Sequence, residues 1–388
     1  MRRIYFSVFG SGLGHAARVH EISRKLKREG DEFSYSSFEE GLDYLRSHGL
    51  DAIQSPSIDL KWNSDGGFSS RDSFVGFPRA ILTFMKQFGF ESDMISRVNP
   101  QVVLSDSRLS PIFAARAKSV PIVTLLNQFK VLFPSRFRGK FLSNYYERIA
   151  GNMLGLFWSL SDRVLMSDLP PPYTISEANI SGTNVSNIVH YVGFTSPKVE
   201  VSESSLQKVK SVLGFDSQKV VFIQISGPNA TKKRFVDSAL AAAKEMSGRF
   251  SVVVSLGYPR GSREPKKIAG GSWLYEWCPV KDELFQLSDT IVARAGHGTI
   301  GQCINLGTPA VLVPIFNHSE QLANAEKYQR LGLGLEVKPQ LLATEGLEEK
   351  IDACIEDSRF KERSETVKEI SKRYDGVDGV VRTVESYL

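Results

Sequence analysis

A histidine closes the glycine-rich turn FGSGLGH at residues 9–15, directly after an apolar run. An imidazole in that place can act as a general base when a carboxylate fixes its tautomer and stabilises the imidazolium. Asp106, the last residue of QVVLSD (101–106), ends a strand at the same edge of a sheet and is the candidate partner of His15. The plainer alternative for His15 is a helix-start imidazole donating to a nearby carbonyl. Gly10, Gly12 and Gly14 permit a tight turn with close backbone approach, and the helix start beyond them favours negative charge. A dinucleotide fingerprint needs glycines at its first, third and sixth positions. Here they stand at the first, third and fifth, the sixth is His15, and EFSYSSF (32–38) ends without an acid to hold a ribose. Nicotinamide and flavin cofactors are therefore disfavoured.

A second set lies in ARAGHGTIGQCINLGTPAVLVPIFNHSEQLANA, residues 293–325. The turn Gly296, His297, Gly298, Thr299 opens a helix whose small first residues leave N–H groups for a phosphate, with Thr299 adding a hydroxyl and Arg294 a charge. The same residues also describe a glycine-rich turn of any α/β protein. Glu320 and Gln321, adjacent at the next helix start, suit either sugar hydroxyls or helix capping. Trp277 in EWCPVKDELF offers a stacking face for a base, or a core side chain. ISGPNATKK (225–233) brings Ser226, Gly227 and two lysines into one small-residue turn, apt for a pyrophosphate and equally for a solvated helix start.

These residues need strands to end beside them, and the chain alternates strands with helices. IYFSVF (4–9), HAARVHEISRKLKREG (15–30) and EFSYSSF (32–38) form one βαβ unit, with Val19, Ile22 and Leu26 on one helical face. QVVLSD, PIFAARAK and PIVTLL (121–126) repeat the pattern, which implies a parallel sheet covered by helices. A second series, KVVFIQIS (219–226), FSVVVSLG (250–257), TIVARAG (290–296) and AVLVPI (310–315), follows a Pro-, Gly- and Ser-bearing stretch at 194–203 that reads as a linker. The expected fold class is α/β, with two doubly wound Rossmann-like domains facing a cleft where the carboxyl ends of both strand sets meet a common ligand.

The totals agree with two cores. At 388 residues the chain exceeds a single hydrophobic core, and 41% hydrophobic with 23% charged residues is ordinary globular composition. A net charge of +5 is too diffuse for nucleic acid, though it favours anionic substrates or headgroups. Cys278, Cys303 and Cys354 show neither metal-ligand spacing nor a disulfide framework and read as reduced, buried thiols of a cytoplasmic protein. The apolar run at the N-terminus is broken by glycine too soon for an export leader, and no window approaches the roughly 18 apolar residues of a membrane span. Any membrane contact is then peripheral.

The spacing W-x-P, RAGHGT, GTPAVLVPI and EQxxNA resembles the donor-binding half of GT-B glycosyltransferases. It is similar in particular to the family 28 C-terminal type, the group of the peptidoglycan N-acetylglucosaminyltransferase and of the antibiotic and plant glucosyltransferases; GSGLGH resembles that group's N-terminal turn. The resemblance implies an acceptor-binding domain over 1–193, a linker over 194–203, a nucleotide-sugar-binding domain over 204–365 and a C-terminal helix over 366–388 that can cross back to the first domain. It assigns His15 as the acceptor-activating base and Asp106 as its partner. Arg294, Gly296, His297, Gly298 and Thr299 match the donor phosphate loop, Ser226 and Gly227 the diphosphate turn, Trp277 the nucleobase platform, and Glu320 with Gln321 the pair on the transferred sugar. Gln302 stands where the family usually has a ribose-binding Glu, which leaves the nucleotide open. The peptidoglycan enzyme's His-Glu-Gln-Asn stretch corresponds here to LLNQ (125–128), so its acceptor is not carried over.

The activity implied is an inverting hexosyl or N-acetylhexosaminyl transfer from a nucleoside diphosphate sugar, UDP-linked by expectation, with no cofactor and no metal. The chain has no Asp-x-Asp motif. The acceptor is a hydroxyl on a small molecule or a lipid. FKVLFPSRFRGKFLSNYY (129–146), with Lys130, Arg136, Arg138 and Lys140 among aromatic residues and GLFWSL following, suits either an interfacial surface or a buried helix with a basic edge. Alternatives are a nucleotide-sugar epimerase of the same fold and a non-catalytic nucleotide-sugar-binding subunit.

Overall fold

The computed structural model describes residues 1–57, 77–130, 132, 141–181, 188–196, 201–215, 218–246, 248–268, 271–338 and 346–388. Among these, the chain divides into two compact units, one holding residues 1–57, 77–196 and 374–388, the other residues 201–373.

The first unit is built on a seven-stranded sheet with the order β3-β2-β1-β4-β5-β6-β7. Its strands are β1 (Arg3–Val8), β2 (Glu32–Ser37), β3 (Ala52–Gln54), β4 (Val102–Asp106), β5 (Ile122–Leu126), β6 (Arg163–Met166) and β7 (Val189–Tyr191), all paired in parallel. Apolar side chains on both faces of β1 explain its central place: Ile4, Phe6 and Val8 enter one core and Tyr5 the other. The first core is closed by α1 (Leu13–Leu26) and α2 (Glu39–Ser47), the second by α3 (Phe77–Val98), α4 (Ser110–Ala117) and α5 (Phe141–Trp158). A short helix, α6 (Glu177–Ile180), precedes β7.

The second unit repeats the plan with the order β10-β11-β9-β8-β12-β13-β14. Helix α7 (Glu203–Leu213) leads into β8 (Val220–Gln224), α8 (Lys233–Glu245), β9 (Ser251–Ser255), β10 (Lys266–Lys267), β11 (Trp273–Tyr275), α9 (Lys281–Leu287), β12 (Thr290–Ala293), α10 (His297–Leu306), β13 (Ala310–Leu312), α11 (Ser319–Arg330), β14 (Gly334–Glu336), α12 (Leu347–Glu356) and α13 (Ser358–Ser371). Among the described strands, only β10 runs antiparallel to its neighbour. Ser202 caps α7 by accepting from the Ser205 amide, and Gly307 in the left-handed region ends α10. After α13 the chain rejoins the first unit. There α14 (Gly376–Glu385) sets Val377, Val380, Val381 and Val384 into the core shared with Ala16, Val19 and Ile22 of α1.

Each sheet has one topological switch point, where the chain leaves one side of the strand order and starts the other. It lies between β1 and β4 in the first unit and between β8 and β12 in the second. Cys278, Cys303 and Cys354 are all buried and unpaired, and burial pushes each thiol up to about 12. They pack as small apolar side chains.

Candidate active site

At the first switch point β1 leaves the sheet through Gly10. A Cβ there would stand 1.9 Å from the Phe38 carbonyl oxygen, so the turn can pass β2's exit only as glycine. Gly12 then turns the chain at φ 82° and caps α1, followed by Gly14, beside which a Cβ would find open space. Two carboxylates sit at this turn: the Ser11 hydroxyl donates to Glu39 at 2.7 Å and the Gly12 amide to Glu40 at 3.4 Å. Both acids follow β2 directly, beyond the stretch in which the sequence reading looked for one. Their negative charge meets the amide that a dinucleotide phosphate would need.

His15 lies in the first turn of α1, its ring edge-on to Phe9 at 5.2 Å. Its Nδ1 is 2.8 Å from Oδ1 of Asp106, which ends β4 and is fully buried. With Nδ1–H donating to that carboxylate, Nε2 carries the lone pair, and it makes no hydrogen bond to any described residue. The side chain is 18% exposed.

Arg18 is the residue that sequence reasoning missed. Its Nε donates to Asp106 Oδ2 at 2.6 Å, its Nη2 binds Oδ1, and that same nitrogen is 3.0 Å from His15 Nδ1. The signal was available, since a residue three after His15 on a helix shares its face. Burial alone would raise the Asp106 carboxyl, but Arg18 and His15 more than reverse this and hold it well below the usual carboxylate range. The triad therefore holds a carboxylate, favoured in its ionised form, whose bonds to Arg18 and His15 orient the imidazole.

On the opposite face of the same sheet, a buried ion pair ties α3 to the exits of β1 and β4. Arg108 Nη1 is 2.8 Å from Glu91 Oε1 and 2.8 Å from the Ser7 hydroxyl, while Glu91 also accepts from Tyr5 at 2.6 Å. This network fixes the exits of β1, which leads into the turn before His15, and of β4, which ends in Asp106.

At the second switch point the exits of β8, β12 and β13 converge. Ser226 and Gly227 form the β8 exit, Gly227 at φ 98°, followed by a 3-10 turn over Asn229–Thr231. Gly296 caps α10 without a side-chain bond; His297 is buried, Gly298 exposed and Thr299 half-buried. Arg294 departs from the expectation that it offers its charge directly to a phosphate. It is buried, with Nη1 donating to the Val313 and Pro314 carbonyls at 3.1 and 3.0 Å and Nη2 to the Thr231 carbonyl at 2.6 Å. A guanidinium so placed clamps three strand exits together, and burial lowers it to about 10.

Gln321 accepts from the Ile315 amide at 3.0 Å through Oε1, which leaves its NH2 group for other partners, and Asn324 donates to Ala295 from the next turn of α11. Glu320 is half-buried and pairs with no described residue. Trp277 is half-buried four residues before α9, its amide bound to Ser262. Gln302 donates to Asp282 at 3.1 Å, so its Oε1 is the atom left to accept a hydroxyl. Bonds and shared strand exits thus gather Ser226, Gly227, Arg294, the start of α10 and the Glu320–Gln321 pair. Trp277 follows the exit of β11, and Gln302 stands within α10, bonded to Asp282 of α9.

Of the segment that suits either an interfacial surface or a buried helix with a basic edge, the described residues at its start are buried, whereas Leu156, Phe157 and Leu160 of GLFWSL are exposed. Phe129, Lys130 and Leu132 are buried, and the Lys130 amine donates to the Ser181 carbonyl at 2.6 Å. Arg136, Arg138 and Lys140 lie outside the described residues. Among those described, no helix is long and apolar enough to cross a membrane.

Residues 229–379 match the model of the Glycosyltransferase family 28 C-terminal domain. An uncharacterized glycosyltransferase of Methanopyrus kandleri is 27% identical over 338 residues, which cover 86% of this chain and 92% of that protein. The UDP-N-acetylglucosamine--N-acetylmuramyl-(pentapeptide) pyrophosphoryl-undecaprenol N-acetylglucosamine transferase of Streptococcus gordonii is 20% identical over 366 residues, 92% of this chain and 91% of that protein. Among solved structures, spinosyn rhamnosyltransferase superposes with a TM-score of 0.69 at 15% identity, covering 99% of this chain and 100% of that one. The same enzyme complexed with thymidine diphosphate gives 0.68 at 16% identity, with the same coverage.

Two doubly wound parallel units, taken with these matches, define the chain as a glycosyltransferase of the GT-B fold. More particularly, its residues 229–379 match the family 28 C-terminal domain.

Proposed function

We propose that the chain transfers a hexose or N-acetylhexosamine from a uridine diphosphate sugar to an acceptor hydroxyl, with inversion at the anomeric carbon. The observation that carries this reading is the unbonded Nε2 of His15, backed by an ionised Asp106 at a switch point. Nε2 takes the acceptor proton as the oxygen attacks the anomeric carbon, and the bond to the nucleoside diphosphate breaks on the opposite side. The positive end of α10, with Thr299 in its first turn, meets the charge of the departing diphosphate. Glu320 and the NH2 of Gln321 hold sugar hydroxyls, Trp277 stacks on the base and Gln302 Oε1 accepts from the ribose. Charge neutralisation by the chain's own groups means that the reading invokes no metal ion.

Uridine is preferred as the nucleoside because a relative's name specifies a UDP donor, while thymidine diphosphate in a structural neighbour is the competing choice. Calorimetry with uridine, thymidine and guanosine diphosphates, followed by anomer assignment of the product by NMR, tests the reading. Uridine diphosphate should bind at micromolar to millimolar concentrations. Failure of all three to bind, or a product with retained configuration, would overturn it. An epimerase would convert the donor without consuming an added acceptor, and a binding subunit would turn over neither.

The reading extends to a lipid-linked acceptor met at the membrane surface. Ile149, Met153, Leu156 and Leu160 recur at helical spacing along α5 and just beyond it, all exposed, with Leu156 at 58%. Ile81, Leu82 and Met85 do the same on α3, and Phe113 of α4 meets Phe84 of α3 and Phe157 of α5 in T-shaped contacts at 5.5 Å. An apolar face of this kind on a water-soluble unit calls for a covering surface. The chain should sediment with anionic liposomes, and Met153→Glu with Leu156→Glu should release it. Sedimentation unchanged by that pair would remove this face from the contact.

A further inference from the structure

Two buried cations lie under the donor loops of the second unit without a carboxylate to balance them. Lys232 follows the 3-10 turn and is 2% exposed. Its Nζ donates to the Gly257 carbonyl at the β9 exit, 2.6 Å away, and lies 4.6 Å from the centre of the Tyr258 ring. Arg294 reaches the same turn from β12 through the Thr231 carbonyl, and its Nε is buried with no partner. Neither cation is ion-paired with an acid among the described residues. Glu276, at the adjoining β11 exit, is already committed to the Ser262 amide and to Lys266.

Buried charges are ordinarily paired, because desolvation without a counter-charge is costly. A fold that keeps two like charges side by side under an outward-facing turn is relieved when an anion sits on that turn. We infer that Lys232, with Arg294, forms the electrostatic floor of the donor site, and that seating a nucleoside diphosphate there is coupled to proton uptake by the Lys232 amine. The inference rests on the donor reading above. Lys232 acts through the loop it underpins and is a positioning residue.

Burial, with Arg294 beside it, lowers the Lys232 amine to about 8. The groups facing it are Arg294 from β12 and Tyr258 from the β9 exit; Lys233 and Arg234, next along α8, point to solvent. Protonated Lys232 therefore carries a folding penalty that is complete below about pH 8 and fades between about 8 and 10.5. A bound diphosphate favours the protonated form, so its affinity must fall as the pH rises through that range.

Calorimetry of uridine diphosphate binding to the full chain at about pH 7 and about pH 9, in buffers of differing ionisation enthalpy, tests this. The wild type should take up protons on binding at the higher pH and bind about tenfold more weakly there than at the lower. Lys232→Met should lose about tenfold in affinity at the lower pH. Lys232→Arg should restore that affinity and remove the protein's share of the pH dependence, leaving only the ligand's own titration. Equal pH dependence and equal proton uptake in the wild type and Lys232→Arg would overturn the role of Lys232 while the donor reading stands. A wild type that binds no uridine diphosphate at either pH overturns both. If Lys232→Met does not fold, the comparison of wild type with Lys232→Arg still decides.

Discussion

His15→Ala should lower the rate of sugar transfer by about 10²-fold or more while leaving nucleoside diphosphate affinity within a factor of about two, the pattern expected when a general base alone is removed. The expectation follows from where each group sits. On the proposed reading, donor contacts come from the exits of β8, β12 and β13 in the second unit, whose described bonds are made among those exits themselves. Among the described residues at the first unit's switch point, the imidazole combines an unbonded basic nitrogen with an anionic partner on its other nitrogen. Steady-state kinetics with saturating donor, alongside calorimetry of the variant, would measure the two effects separately. Added imidazole should recover part of the lost rate, because the cavity left by the truncated ring opens towards Asp106. Transfer within about threefold of the wild type would take His15 out of the chemistry.

The fold was legible where strands are long and buried on both faces. The runs that became β1, β4, β5, β8 and β9 are mostly apolar stretches next to amphipathic helices, and their order alone implies a parallel sheet. Short edge elements were not legible. The two residues of β10 are exposed lysines, and β3 shows one buried residue in three, too little for any period to appear. Among site residues, His15 and Asp106 could be paired from topology because both end at adjacent strand exits. Arg18 was overlooked although its spacing from His15 pointed to it. Arg294 was misjudged for a different reason: nothing in a sequence tells whether a cation at a strand exit faces a ligand or the carbonyls of neighbouring loops. Lys232 presents the same difficulty, since a lysine beginning a helix ordinarily points to water, and only its burial beside Arg294 shows otherwise.

Asp106→Asn should damage both stability and transfer, and the two effects have separable causes. The carboxylate is fully buried and shared between Arg18 and His15, so replacing it by an amide leaves a guanidinium in the core with its charge unanswered. Breaking a buried pair in this way costs about 3–5 kcal/mol, measurable as a shift in the denaturant midpoint. The amide must also present its NH2 group either to Arg18, donor against donor, or to His15. In the second orientation it donates to Nδ1, which moves the ring proton to Nε2 and removes the base, so transfer should fall by about 10²-fold or more even in the fraction that remains folded. Acid titration distinguishes the electrostatic cause from simple loss of packing. Because the Asp106 carboxyl is held below its ordinary range in the folded chain, its contribution is complete above the unfolded value of about 3.9 and is lost as the pH falls towards the folded one. Stability of the wild type should therefore slope downward below about pH 4, and the slope should be shallower in Asp106→Asn. Parallel slopes in the two proteins would mean that the carboxylate is not ionised beside Arg18 and His15, and the general-base assignment of His15 would lose its support.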